Sequence, residues 1–176
     1  MAKLKPAVNS NDHVQGNQNA IIELVEYGDY QCPHCGHAYP IIKNMQKELG
    51  NKIKFIFRNF PLSEIHPNAM NAAVAAEVAS AQNKFWEMHD IIFENQDFLS
   101  DVNLVKYAAK LGLNIEQFKA DFEKPKYFKK VEADFESGIR SGVNGTPSFF
   151  ISGEKFDGSW EENDFLKYLK SFLKKL

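Results

Sequence analysis

The sequence is poor in cysteine. Only Cys32 and Cys35 occur in 176 residues, too few for the disulfide framework that staples small secreted domains. A chain this long can build its core from apolar side chains instead, and fifteen Phe residues supply much of the bulk. No apolar run approaches the ~18 residues that a membrane-crossing helix needs, so stable membrane insertion is not expected. An excess of one charge is missing too. Lys and Arg number 21 against 23 Asp and Glu, which gives no general attraction to nucleic acid. Lys167, Lys170, Lys174 and Lys175 gather near the end, where they suit the negative pole of a helix rather than a basic binding patch. Neither repeats nor low-complexity linkers appear, and the length fits one globular domain. The start, Met1 to Pro6, has lysines but no apolar stretch after them. As read, this predicts no signal peptide and a cytoplasmic protein, with a periplasmic or other extracytoplasmic site as the alternative if a signal has been removed.

The patterning then lays out the elements. Residues 1–19 are rich in Asn, Gln and Asp without a period and read as an extended N-terminal arm. Residues 20–27 are apolar and β-branched, hence a strand. From Pro33 to Leu49 apolar residues recur at helical spacing (Tyr39, Ile42, Met45, Leu49) and Gly50 follows. Residues 52–57 alternate as a second strand. Strand, helix, strand predicts a parallel βαβ unit with a right-handed crossover.

Residues 63–142 read as helical and free of strands, with about five segments. Pro67 suits a first helical position, Ser100 a cap, and Asn114 with Gln117 a capping box. Phe128, Val131, Phe135 and Ile139 are expected to line one helix face. After Pro147, residues 148–151 and 155–156 read as strands, and Ser159 with Glu162 as the cap of a final helix. The expected class is α/β, βαβ…ββα, interrupted by an all-helical insertion. Residues 20–62 and 143–176 form the core and 63–142 the inserted domain.

The chemistry lies in Cys32-Pro33-His34-Cys35. A Cys-x-x-Cys at a helix start, directly after a strand, places the first thiol where free N–H groups and the helix dipole favour an anion. The thiolate is the attacking species. The second thiol, one turn away, can resolve the mixed disulfide that attack creates. Cys32 therefore reads as nucleophile and Cys35 as resolving thiol. His34 can add positive charge or a hydrogen bond to the Cys32 thiolate. A zinc site is the competing reading, with His34 or His37 beside the cysteines. It lacks a second ligand pair, because His13, His66 and His89 are scattered. A purely structural disulfide is disfavoured, since so short a loop constrains the unfolded chain little. Tyr27, Tyr30, Phe60 and Phe149 read mostly as core, with an apolar rim for unfolded substrates as the other use.

The segments Glu26–Cys35, Phe57–Leu62 with His66-Pro67, Lys84–Asp90 and Gly142–Pro147 together resemble DsbA-like thiol–disulfide oxidoreductases of the thioredoxin superfamily. The resemblance runs from about Asp12 onward. It implies a thioredoxin fold with a helical insertion and the Cys32-Pro33-His34-Cys35 segment as redox centre. It also implies that Pro147 is a cis-proline facing the cysteines and that Thr146 offers its backbone to a bound substrate chain. Glu26 matches an acidic residue that the family uses as proton acceptor for the resolving thiol. The alternatives are that Glu26 faces solvent, or that Glu23 takes the role. Implied partners are cysteine-containing protein substrates and a redox partner that resets the site, with neither metal nor cofactor. The expected function is dithiol–disulfide exchange, most naturally oxidation. A cytosolic disulfide reductase and a chaperone-like or redox-gated binding module are the alternatives.

Overall fold

Two seven-residue strands, β2 (Ile22–Gly28) and β3 (Ile53–Asn59), pair in parallel at the centre of a five-stranded sheet. The computed structural model describes residues 2–174, so Lys175 of the terminal lysines lies outside it. β4 (Ser148–Ile151) lies antiparallel to β2, and β5 (Glu154–Phe156) antiparallel to β4. The arm expected to stand apart supplies β1 (His13–Gly16), antiparallel to β3, and the order is β1-β3-β2-β4-β5. A four-residue strand with one apolar side chain carries little periodic signal. Its place comes from β3 and from tertiary pairings such as Gln46 Nε2 donating to Gln15 Oε1 at 2.8 Å.

β2 and β3 are buried along almost their whole length, as strands covered on both faces must be. Alternation sorts their side chains between two cores. Leu24, Phe55, Phe57, Phe149 and Ile151 pack with α1 (Pro33–Leu49) and α7 (Glu162–Leu173), while Val25, Tyr27, Ile56 and Phe150 pack on the opposite face with Leu4, Phe60 and Val143. Tyr30 and Phe149 belong to the first core and Tyr27 and Phe60 to the second, so all four are core rather than rim.

Five helices lie between β3 and β4: α2 (Ala69–Ser80), α3 (Phe85–Phe93), α4 (Asp101–Lys110), α5 (Ile115–Phe122) and α6 (Pro125–Arg140). Three local expectations change. Pro67 lies in the turn before α2, whose N-cap is Asn68. Ser159 accepts from the Glu161 N–H at 3.3 Å, but α7 starts at Glu162, so the capping box does not form. On α6 the buried face is Tyr127, Val131, Asp134, Ser137 and Gly138, while Phe128 and Ile139 are exposed. The helix is turned by polar partners. Asp134 accepts from Asn59 and Lys130, and the Ser137 and Tyr27 hydroxyls pair at 2.7 Å. Asn114 does cap α5, accepting from the Gln117 N–H at 2.9 Å.

Candidate active site

β2 ends at Gly28, residues 29–31 turn, and Cys32 becomes the N-cap of α1 in extended backbone (φ −72°, ψ 124°). Pro33 fits the first helical position because its φ is already helical and its missing N–H has no helical partner there. The turn is pinned where the Cys32 N–H donates to the Asp29 carbonyl at 3.1 Å. Cys32 retains 4% of its surface and Cys35 none. Both are free thiols.

This placement separates the two sulfurs electrostatically. A hydrogen bond from the Cys35 thiol is the largest influence on Cys32. Partial burial opposes it, and the Thr146 side chain and the N–H groups of Cys35 and His34 add to it. The outcome holds Cys32 down at about 5. Cys35 moves the other way. Burial, the hydrogen bond to Cys32, and the charges of Glu26 and Cys32 push it well above the ordinary thiol value, against one N–H from Asp29 at 3.4 Å.

Glu26 follows from strand parity. It shares its face of β2 with Leu24, the face that α1 covers, so it points under the cysteines and not to solvent. Burial, then the charge of Cys32, raise its carboxyl to about 8. Its Oε1 has no partner among the described residues. Glu23, two residues earlier, pairs with Lys54 at 2.9 Å and is partly exposed.

The opposite wall is the segment before β4. The Thr146–Pro147 peptide is cis. The Thr146 carbonyl accepts from the Cys32 thiol at 3.5 Å, and its hydroxyl is buried on the same side of the site. Cys32, Cys35, Glu26, Thr146 and Pro147 are thus brought together. The His34 ring is not. It is exposed, and the contribution of His34 to the shift of Cys32 comes through its backbone N–H.

Sequence reasoning missed residues that brace this site. The Asp29 carboxylate, 1% exposed, accepts at 2.8 Å from each of three donors: the N–H of Gln31, the N–H of Leu62 and Nδ1 of His66. Gln31 Oε1 accepts from the Asn68 N–H at 2.7 Å. Gln96, from the loop after α3, reaches the same turn. A polar residue in a turn looks the same whether solvated or buried, and no periodicity links positions 29, 66 and 96. The other histidines are engaged elsewhere, His13 with Glu77, His37 with Glu161 and His89 with Tyr30. Among the described residues no three His, Cys, Asp or Glu side chains group as metal ligands do.

Comparison with known proteins fits this geometry. The model of a family described as thioredoxin matches residues 8–171. Among curated relatives, Na(+)/H(+) antiporter NhaA 1 of Mycobacterium sp. (strain KMS) is 36% identical over 170 residues, covering 96% of this chain and 28% of that protein. The protein of the same name from Salinispora arenicola (strain CNS-205) is 37% identical over 155 residues, 88% of this chain and 24% of that protein. The chain therefore spans about a quarter of the length of these relatives. Among solved structures, a thioredoxin-like oxidoreductase from Silicibacter pomeroyi DSS-3 has a TM-score of 0.83 at 25% identity, covering 94% of both chains. BdbD from Bacillus subtilis has a TM-score of 0.83 at 23% identity, covering 93% of this chain and 94% of its own. With the matched family model, the parallel βαβ centre and the paired cysteines at the start of α1, this chain belongs to the thioredoxin family and has the DsbA-like form of its fold.

Proposed function

We propose that the chain is a thiol–disulfide oxidoreductase that passes its Cys32–Cys35 disulfide to cysteine-containing protein substrates, with oxidation of the substrate as the net direction. One observation carries the reading: a thiolate-forming Cys32, held at about 5, beside a buried Cys35 with a raised pKa. Stabilising the reduced form makes a dithiol pair a stronger oxidant.

A substrate thiolate attacks Cys32 Sγ, the S–S bond breaks, and its electron pair goes to Cys35 Sγ, which takes a proton. Glu26, a carboxyl titrating near 8 beneath Cys35, supplies that proton and recovers one from solvent. The second substrate thiolate then attacks the substrate sulfur of the mixed disulfide and expels Cys32 as thiolate. Two electrons leave the substrate with its two thiol protons. One proton is matched by that on Cys35, and the other goes to solvent because Cys32 leaves ionised. A partner of the same exchange chemistry removes the two electrons and resets the disulfide.

The test is to mix oxidised protein with a reduced, unfolded two-cysteine substrate while measuring the potential of the pair in glutathione buffers. Substrate oxidation, lost in Cys32→Ser, with a potential above about −180 mV supports the proposal; a potential near that of thioredoxin, about −270 mV, assigns a reductase instead. Holding of unfolded chains that Cys32→Ser leaves unaltered, with no exchange in the parent, would make the chain a binding module.

A further inference from the structure

Gln96 lies in the helical insertion, on the loop between α3 and α4, 64 residues from Cys32 in sequence. Its Nε2 donates to two carbonyls of the active-site turn, Tyr30 at 2.8 Å and Cys32 at 3.0 Å. The Cys32 carbonyl also accepts the first bond of α1, from the Gly36 N–H at 3.0 Å. Gly36 completes the contact. A Cβ built on it would lie 1.9 Å from Gln96 Oε1. Its backbone is ordinary helix, so no unusual φ calls for glycine. Glycine is the poorer helix former here, and the space of its missing side chain holds the Gln96 amide.

We infer that Gln96 is a positioning residue for the exchange. Bridging two carbonyls across the missing side chain of Gly36, it fixes the Cys32 peptide so that Sγ stays above the N–H groups of His34 and Cys35 and against Thr146. The helical insertion thereby sets the reactivity of a thiol carried by the sheet domain. Both of its amide hydrogens are used, and its oxygen lies against the Cα where any larger residue would intrude. The inference rests on the exchange activity proposed above, and it assigns the insertion a part in that activity.

The atom that a Gly36 methyl group meets is the far end of a flexible side chain. Gly36→Ala therefore displaces the amide without breaking the fold. Gln96→Glu keeps the size and removes both donors. The readout is the pH dependence of Cys32 alkylation in the reduced protein, which needs no substrate, together with the potential in glutathione buffers. In both variants the alkylation midpoint should rise by about one pH unit, matched by a tenfold fall in the tendency to be reduced, about 30 mV lower. In a Gln96→Ala background, Gly36→Ala should add nothing further, because the space it fills is already empty. A midpoint and potential equal to the parent's in Gly36→Ala or Gln96→Glu would overturn the inference. So would full additivity of the two alanine changes. Gly36→Ala, which adds no charge, makes the distinction: a purely structural contact would lower stability equally in both redox forms and leave its titration unmoved. If the parent itself fails to oxidise substrate, the exchange proposal falls, and the titration still scores Gln96.

Discussion

Glu26 and the two cysteines titrate as a group, because each shift has another member among its causes. The carboxyl, raised by burial from 4.5 to about 8, binds more protons in the folded protein than in the unfolded chain between those values. Its contribution to stability is therefore complete below about 4.5 and lost as pH climbs through 8. Glu26→Gln should remove that slope. In the disulfide form, where no thiol titrates and burial alone raises the carboxyl, the parent should still lose stability between pH 5 and 8 that the variant keeps, by about 1–3 kcal/mol. Parallel melting profiles across that range would exclude a buried, titrating Glu26. The thiols differ in access as well, and Cys35→Ser should accumulate mixed disulfides through Cys32 while Cys32→Ser forms none. Mass spectrometry of the adducts decides it, and adducts on Cys35 alone would reverse the roles. Replacing the His34 side chain, which leaves the backbone N–H in place, should move the potential by less than about 30 mV.

At the scale of elements, α6 shows how polar partners override an apolar stripe. Phe128 and Ile139 have helical spacing, yet the face carrying Asp134, Ser137 and Gly138 is the one buried. The same face also packs closely: the Phe60 ring lies against Gly138, where a Cβ would come within 2.6 Å of two ring carbons. Gly138→Ala should therefore destabilise by about 1–3 kcal/mol, despite alanine's better helix propensity. This is the opposite response to a surface helix glycine, and a raised melting temperature would refute the packing argument. The elements that could be read from sequence, β2, β3, β4 and α1, carry strong periodicity or a sharp punctuator such as Gly50. Those that could not, β1 and the first turns of α2 and α7, are placed by partners remote in the chain. The same division holds inside the site. Cys32 and Cys35 are adjacent enough for spacing to reveal them, whereas Asp29, His66 and Gln96 acquire meaning only when the fold brings their partners near.

For the molecule as a whole, the arm is a strap. The Leu4 N–H donates to the Gly153 carbonyl of the β4–β5 hairpin, the Lys155 N–H of that hairpin donates to the Ala2 carbonyl, and β1 closes the far edge of the sheet. Between them Arg58, 2% exposed, holds the Asp12 carboxylate through two bonds of 2.8 and 2.9 Å and reaches the Pro6 and Ala7 carbonyls. Asp12→Ala leaves a buried guanidinium without its anion and should cost about 3–5 kcal/mol, read as a lower denaturant midpoint at unchanged slope. A loss under about 1 kcal/mol would show the strap to be dispensable.

Thr146 stands 114 residues beyond Cys32, after all five inserted helices. On the ribosome, which releases the chain from its start, both thiols emerge long before the carbonyl that faces them. A nascent chain of some 140 residues already has β2, β3 and α1 available, with the cysteines bare on one side. The redox centre is thus completed late, only once the segment before β4 has emerged, and until then its thiols are ordinary prey for any oxidant in the compartment of synthesis.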